Sequence, residues 1–287
     1  MRSIKQSLIE FALPKDLQER IDQAPLNLNS TGFDPWGLNP ETAKAVVAAT
    51  LWLYKKYFRV EVHGIENIPK GRALIAANHG GQIPLDAMMV ALALLIEADP
   101  PRITRGMVER WAPSLPFFST LFTRCGQVTG DPKNCRDLLN KDECVMVFPE
   151  GVRGSGKTFD KRYQLQRFGT GFIRLAIETN TPIIPTAIIG CEESYPGIFN
   201  AKILAKLIKA PYFPVTPFFP LFGPLGVTPL PTKVTIRFSK PLLFEGNKDT
   251  SDHNVQDMVN SVMSSMDTEI QTGLDKRGKS IFTGRAF

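Results

Sequence analysis

The 287-residue chain has no run of 18 apolar residues, so nothing in it reads as a bilayer-spanning helix. Its longest apolar stretch, Ala87 to Ile96, is ten residues. Met1 to Glu10 lacks an apolar core of signal-peptide length. Cysteine is scarce: Cys125, Cys135, Cys144 and Cys191 form no C-x-x-C pair, and no Cys/His cluster has zinc spacing. That pattern predicts free thiols in a reducing cytoplasm and no structural metal. Histidine is scarcer still, with only His63, His79 and His253, so the candidates for an imidazole base are few. The net charge of +6 is mild, and no aromatic-basic module of nucleic-acid binders is present, so no nucleic-acid partner is expected. Internal repeats and low-complexity linkers are absent as well.

What the chain does have is an ordinary 43% of hydrophobic residues and an unusual 23 prolines. Apolar runs alternate with helical stripes. Leu8 to Ile21 is amphipathic and broken at Pro14, and Glu41 to Phe58 has a helical stripe. Phe58 to His63 alternates as a strand. Buried-strand runs fall at Ala73 to Ala77, Cys144 to Phe148 and Ile183 to Ile189, with strand-like segments at Arg102 to Val108 and near Gln127. Helical segments fall at Pro84 to Ala98, Pro116 to Phe122, Pro132 to Asn140, Gly169 to Thr179 and Val255 to Ile270. Val234 to Phe238 alternates as an outer strand would. The alternation predicts one α/β domain with a largely parallel sheet flanked by helices, residues 58–287, behind an N-terminal helical extension, residues 1–57.

Three motifs compete for the chemistry. Gly151 to Thr158 fits the phosphate-binding pattern G-x-x-x-x-G-K-[ST] at every position. That pattern needs a helix beginning at its Lys-Thr, and residues 158–168 carry Asp160, Lys161, Arg162, Gln164, Gln166 and Arg167 with no apolar helical stripe. A nucleotide-binding protein is therefore the alternative, beside a catalytically inactive lipid binder. His79-Gly80-Gly81 looks like an esterase oxyanion loop, but no G-x-S-x-G elbow accompanies it. The third is a pair: Asn78-His79 with Asp86 after one strand, and Phe148-Pro149-Glu150-Gly151-Val152-Arg153 after another. Ends of parallel strands are where α/β folds place their sites. A His with a carboxylate is the minimum for activating an alcohol. No Ser or Cys with a plausible partner suggests a covalent intermediate, so direct attack by a substrate hydroxyl fits better.

These blocks, with Gly64-x-Glu66-Asn67-Ile68-Pro69, Phe168-x-Thr170-Gly171 and Thr181-Pro182-Ile183-Ile184-Pro185, resemble the glycerolipid acyltransferases, relatives of lysophosphatidate acyltransferase, over residues 58–245. The resemblance implies acyl transfer from acyl-CoA or acyl-carrier protein to a lipid hydroxyl, with no bound cofactor. It implies that His79 is the base and Asp86 its orienter, and that Glu150, Gly151 and Arg153 bind the acceptor. Asn78, Gly80 and Gly81 join the substrate-binding candidates, the two glycines as possible oxyanion donors. Lys157 is a candidate for a coenzyme A phosphate, or for solvent. Arg105 lies where relatives often carry a basic residue near substrate, and a solvated surface arginine fits that position equally. Two features depart from the pattern. Six residues rather than four separate His79 from Asp86, and Gly126 to Asp131 lacks an arginine. The second departure opens a neutral acceptor, mono- or diacylglycerol, beside a lysophospholipid. The structural alternatives are a strand-closing His79, an Asp86 serving the helix terminus and a Glu150–Arg153 surface ion pair.

The prolines bear on the membrane. Residues 210–232 run without a charge and carry seven prolines and five of the chain's aromatics, which forbids a spanning helix. The preceding segment, Ile198 to Ala210, reads as a helix with Lys202, Lys206 and Lys209 in one sector. A basic helix beside an aromatic loop has the pattern of an interfacial anchor, with Phe213, Phe218, Phe219 and Phe222 as the contacts. A cytoplasmic enzyme held peripherally on a bilayer is the expectation; the oligomeric state stays open.

Overall fold

The structure, a computed structural model, describes residues 4–80, 84–109, 118–201, 205, 214–223, 226, 228–247, 249–277 and 281–282. Its centre is set by two apolar runs. Strands β2 (Ala73–Ala77) and β6 (Ile183–Ile189) are buried at every residue and pair in parallel. β5 (Cys144–Val147) lies on the other side of β2, again parallel, followed by β3 (Thr104–Val108) and β4 (Val128–Thr129). Beyond β6 come β9 (Thr235–Phe238) and then β1 (Glu61–His63). Among the described residues the order is β1-β9-β6-β2-β5-β3-β4, seven strands, with only the β6–β9 pairing antiparallel. β9 is thus one place in from the edge, not an outer strand. Arg237, a polar residue of that alternation, donates to Glu269 at 2.7 Å under a covering helix.

Period-two alternation feeds two apolar layers. Ala73, Ile75 and Ala77 point to one, with Cys144, Met146, Ile184 and Ile188. Leu74, Ala76, Val145, Ile183, Ala187 and Ile189 point to the other. Helices α1 (Ile4–Ala12), α2 (Lys15–Asp22), α3 (Pro40–Trp52) and α4 (Leu85–Ile96) cover the first. Pro14 sits between α1 and α2, and Asn39 caps α3 by accepting from the Thr42 N–H at 3.0 Å. Helix α5 (Phe118–Arg124) follows β3 and contacts α3. The second layer is covered by α6 (Pro132–Leu139), α8 (Gly171–Glu178) and the last helix, α10 (Asp252–Arg277). Val255, Val259, Val262, Met266 and Ile270 of α10 are fully buried over β6 and β9. The helix outruns its apolar stripe by seven residues, Gln271 to Arg277. A Cβ at Gly273 would come within 2.5 Å of Ile189, so the glycine permits the close approach.

Arg105, a candidate for a substrate cation or a solvated surface arginine in sequence, is buried. Its side chain on β3 is 1% exposed, ion-paired with Asp34 at 2.5 Å and Glu143 at 3.1 Å. Asp34 in turn accepts from Trp36 and Leu38 N–H groups, so this cation ties the N-terminal segment to the sheet. Arg105→Leu strands two carboxylates and is expected to cost about 3–5 kcal/mol. Urea unfolding is the check: the midpoint falls and the slope is unchanged.

Candidate active site

The site is built where three neighbouring parallel strands stop. The β2–β5 register pairs Ala76 with Val147. Three residues further along each strand, that register brings His79 level with Glu150. The His79 N–H accordingly donates to Glu150 Oε1 at 3.0 Å. The other oxygen, Oε2, accepts from the Gln166 N–H at 2.8 Å. On the opposite side, Asn78 locks β2 to β6: its amide donates to the Ile188 carbonyl at 3.0 Å and accepts from the Ile188 N–H at 2.7 Å.

His79 and Asp86 meet despite the longer spacing. His79 Nδ1 lies 2.6 Å from Asp86 Oδ2, and the Gly80 N–H donates to the same oxygen at 3.0 Å. Asp86 Oδ1 accepts the Ala87 N–H at 2.7 Å in the first turn of α4, so the carboxylate also serves the helix terminus. Asp86 is fully buried, while the His79 side chain stays 18% exposed. An ionised carboxylate only accepts, so Nδ1 carries the proton and Nε2 presents a lone pair. The ring is stacked on Phe148, centroids 4.2 Å apart. Burial is the largest influence on His79 and disfavours its cation. Asp86 and Glu150 together outweigh burial and Lys157, and the pKa rests above the ordinary 6.5. Cys191, just past β6, is not a rival nucleophile. Burial, reinforced by the Asp86 charge, holds its thiol well above the ordinary value and hence protonated.

The first turn after Glu150 closes over the dyad. Gly151 adopts φ 56°, ψ −147°, a backbone reserved for glycine, and starts the short helix α7 (Val152–Ser155). A Cβ at Gly154 would lie 2.7 Å from His79 Cβ and 2.9 Å from Glu150 Cβ, so this glycine sets how closely α7 sits on the histidine.

Comparison with known proteins bears on the family and the fold. The family model described as Acyltransferase matches residues 59–189, which hold both strand ends. An uncharacterized protein of Mycobacterium tuberculosis is 41% identical over 239 residues, 80% of this chain and 67% of its own length. The chain belongs to the acyltransferase family. A mouse relative, "DGAT1/2-independent enzyme synthesizing storage lipids", is 26% identical over 227 residues, 76% of this chain and 64% of its own. The chain thus spans about two thirds of the length of these relatives. The crystal structure of the 1-acyl-sn-glycerophosphate (LPA) acyltransferase from Thermotoga maritima superposes with a TM-score of 0.51. It is 17% identical and covers 98% of this chain and 86% of that one, a likeness of fold.

Around this acyltransferase site the remaining residues sort by exposure. Arg153, on α7, is exposed; it donates to the Arg167 carbonyl at 3.1 Å and makes no ion pair among the described residues. Glu150 is 1% exposed and Asn78 1%, and the hydrogen bonds given above tie both to the strand ends. The Gly80 N–H donates to Asp86; Gly81 lies outside the described residues. Lys157, a candidate for a coenzyme A phosphate or for solvent in sequence, is turned inward. Its ammonium is 3.0 Å from Glu192 and 3.5 Å from Glu150, with the side chain 5% exposed. The nucleotide-loop reading fails on the same fact: α7 ends before Lys157, Thr158 is extended, and the lysine is held by carboxylates. Glu192, on α9 (Cys191–Ser194), is the site residue that sequence reasoning missed. Its signal was two glutamates placed just past the buried β6, after Gly190 and Cys191.

The proposed membrane contacts divide. Lys202, Lys206, Lys209 and Phe213 lie outside the described residues. The expected helix does not begin at Ile198: β7 (Phe199–Asn200) pairs antiparallel with β8 (Pro214–Val215). Beyond β8, Phe218, Leu221 and Phe222 are exposed, at 39%, 79% and 59%, and Phe219 is half-buried. No helix among the described residues is long and apolar enough to cross a membrane.

Proposed function

We propose that the protein moves a fatty acyl group from an acyl thioester, acyl-CoA or acyl-carrier protein, to a hydroxyl of a glycerolipid. The 2.6 Å contact of His79 with Asp86 carries the reading. His79 Nε2 takes the hydroxyl proton as the oxygen attacks the thioester carbonyl. The new C–O ester bond forms, the C–S bond breaks, and the imidazolium returns the proton to the departing thiolate.

A neutral acylglycerol is the acceptor best supported. The segment after β4, Thr129-Gly130-Asp131, contributes no cation, and Asp131 is spent on the α6 terminus, accepting from the Lys133 N–H at 2.8 Å. With Lys157 enclosed by carboxylates, Arg153 is the exposed cation that the acceptor motif retains among the described residues. The test is labelled acyl-CoA with mono- and diacylglycerols beside lysophospholipids. Product from acylglycerols is expected. Product from lysophosphatidate alone refutes the neutral acceptor, and product from no hydroxyl lipid refutes the activity.

The exposed Phe218-Leu221-Phe222 face is read as an interfacial contact with the bilayer that holds the acceptor. In co-sedimentation with phospholipid vesicles, Leu221→Ser/Phe222→Ser is expected to stay in the supernatant more than the parent. Undiminished sedimentation of the folded variant rules this face out.

A further inference from the structure

Outside the dyad, one group of buried charges is not used by the chemistry above. Lys157 Nζ stands between Glu192 Oε1 at 3.0 Å and Glu150 Oε2 at 3.5 Å, and also donates to the Gln164 carbonyl at 3.4 Å. The three charged side chains are 5%, 5% and 0% exposed, so none is free to meet a substrate. Each carboxylate is also held by backbone: Glu192 Oε2 accepts from the Tyr163 N–H at 2.9 Å, and Glu150 from His79 and Gln166.

The cluster grips the catalytic loop from two sides. Glu150 holds the His79 N–H. The Glu192 stem lies against the next residue so closely that a Cβ on Gly80 would sit 2.2 Å from Glu192 Cγ. Those two residues are the ones that Asp86 Oδ2 binds, through the His79 ring and the Gly80 N–H. Sequence order cannot bring these charges together. Glu150 follows β5, Glu192 follows β6, and Lys157 comes from the loop after α7; they meet because β5 and β6 flank β2.

We propose that Lys157 and Glu192 are positioning residues for His79, forming with Glu150 a buried brace that fixes the His79–Gly80 peptide against Asp86. The proposal rests on His79 being the base. Lys157 neutralises one of two carboxylates that would otherwise repel each other and part. Burial, with Glu150 adding, holds the Glu192 carboxyl above its ordinary range even beside the lysine, so loss of the lysine invites protonation and rotation. Lys157 also acts on His79 through space, lowering its pKa against the pull of Asp86 and Glu150.

The test compares Lys157→Met with the wild type and His79→Ala in the acyl-transfer assay over a range of pH. Because small displacements of a base are costly, kcat is expected to fall at least about tenfold. KM for both substrates should hold within about twofold, since no substrate contact is removed. The acid limb of the kcat profile should move to higher pH, because a cation that lowers the His79 pKa is gone. A purely structural role would not move that limb. If Lys157→Met does not fold, Lys157→Met/Glu192→Gln removes both charges together and takes its place, with the same kcat and KM expected. Wild-type kcat in a folded variant overturns the proposal, as does a rise in KM that accounts for the loss. Failure of both variants to fold makes the cluster structural only and also overturns it. The His79→Ala arm separates the two readings: if it turns over at the wild-type rate, the base reading fails, whatever Lys157 does.

Discussion

His79→Ala is expected to lower the acyl-transfer rate by about 10²- to 10⁴-fold, the usual contribution of a positioned general base. The fold should survive. The ring is partly exposed, and Asp86 keeps the N–H groups of Gly80 and Ala87 after the imidazole is gone. The cost is that of one unmade hydrogen bond to a charged group, about 1–3 kcal/mol. Circular dichroism and a melting curve distinguish this from unfolding: native signal with lost turnover is the expected pair. A folded His79→Ala protein of undiminished rate removes His79 from the chemistry.

Asp86→Asn tests how the base is held, and its effect on pH has a definite sign. In the wild type, Nε2 must be unprotonated to act, so activity falls as pH drops through the His79 pKa. Burial alone lowers that pKa, but Asp86, with Glu150, raises it above 6.5, so the acid limb lies above 6.5. Asparagine removes both the charge and the hydrogen bond of Asp86. Burial then dominates, and the limb moves to lower pH. The plateau nevertheless falls, by about 10²-fold or more, because the amide can donate to Nδ1 and place the ring proton on Nε2, where the lone pair is needed. A pH profile of kcat reads both effects. A limb that moves upward, or a plateau that is unchanged, contradicts the assigned tautomer.

Much of this site is legible in residue order, for identifiable reasons. β2 and β6 are buried on both faces, so they read as apolar runs, β6 interrupted only by Thr186, and the residues that follow β2, β5 and β6 stand at a strand end. His79 after β2 and Glu150 after β5 are visible on that ground, and Asp86 by its place in the first turn of α4. What residue order hides is the partner of each charge. Arg105 looks like a substrate cation until Asp34, 71 residues away, is folded beside it. Lys157 completes a phosphate-loop pattern, yet its neighbours in space are two carboxylates from different strand ends. Arg237 made β9 look peripheral because a polar residue in an alternating strand predicts solvent; here α10 covers it and supplies Glu269. Glu192 passed unnoticed because its importance depends on β6 lying next to β2, which no local pattern encodes. Local periodicity reports burial well and long-range pairing of charge poorly.

The proposed reaction is a single chemical event: a lipid hydroxyl attacks an acyl thioester directly, with no acyl-enzyme between. The most direct test is rapid-quench measurement of thiol release from labelled acyl-CoA, with and without diacylglycerol in detergent micelles. Thiol release that depends on the acceptor, matches acylated product mole for mole and leaves no label on the protein is the predicted result. A burst of thiol without acceptor, with label retained on the protein, contradicts the account.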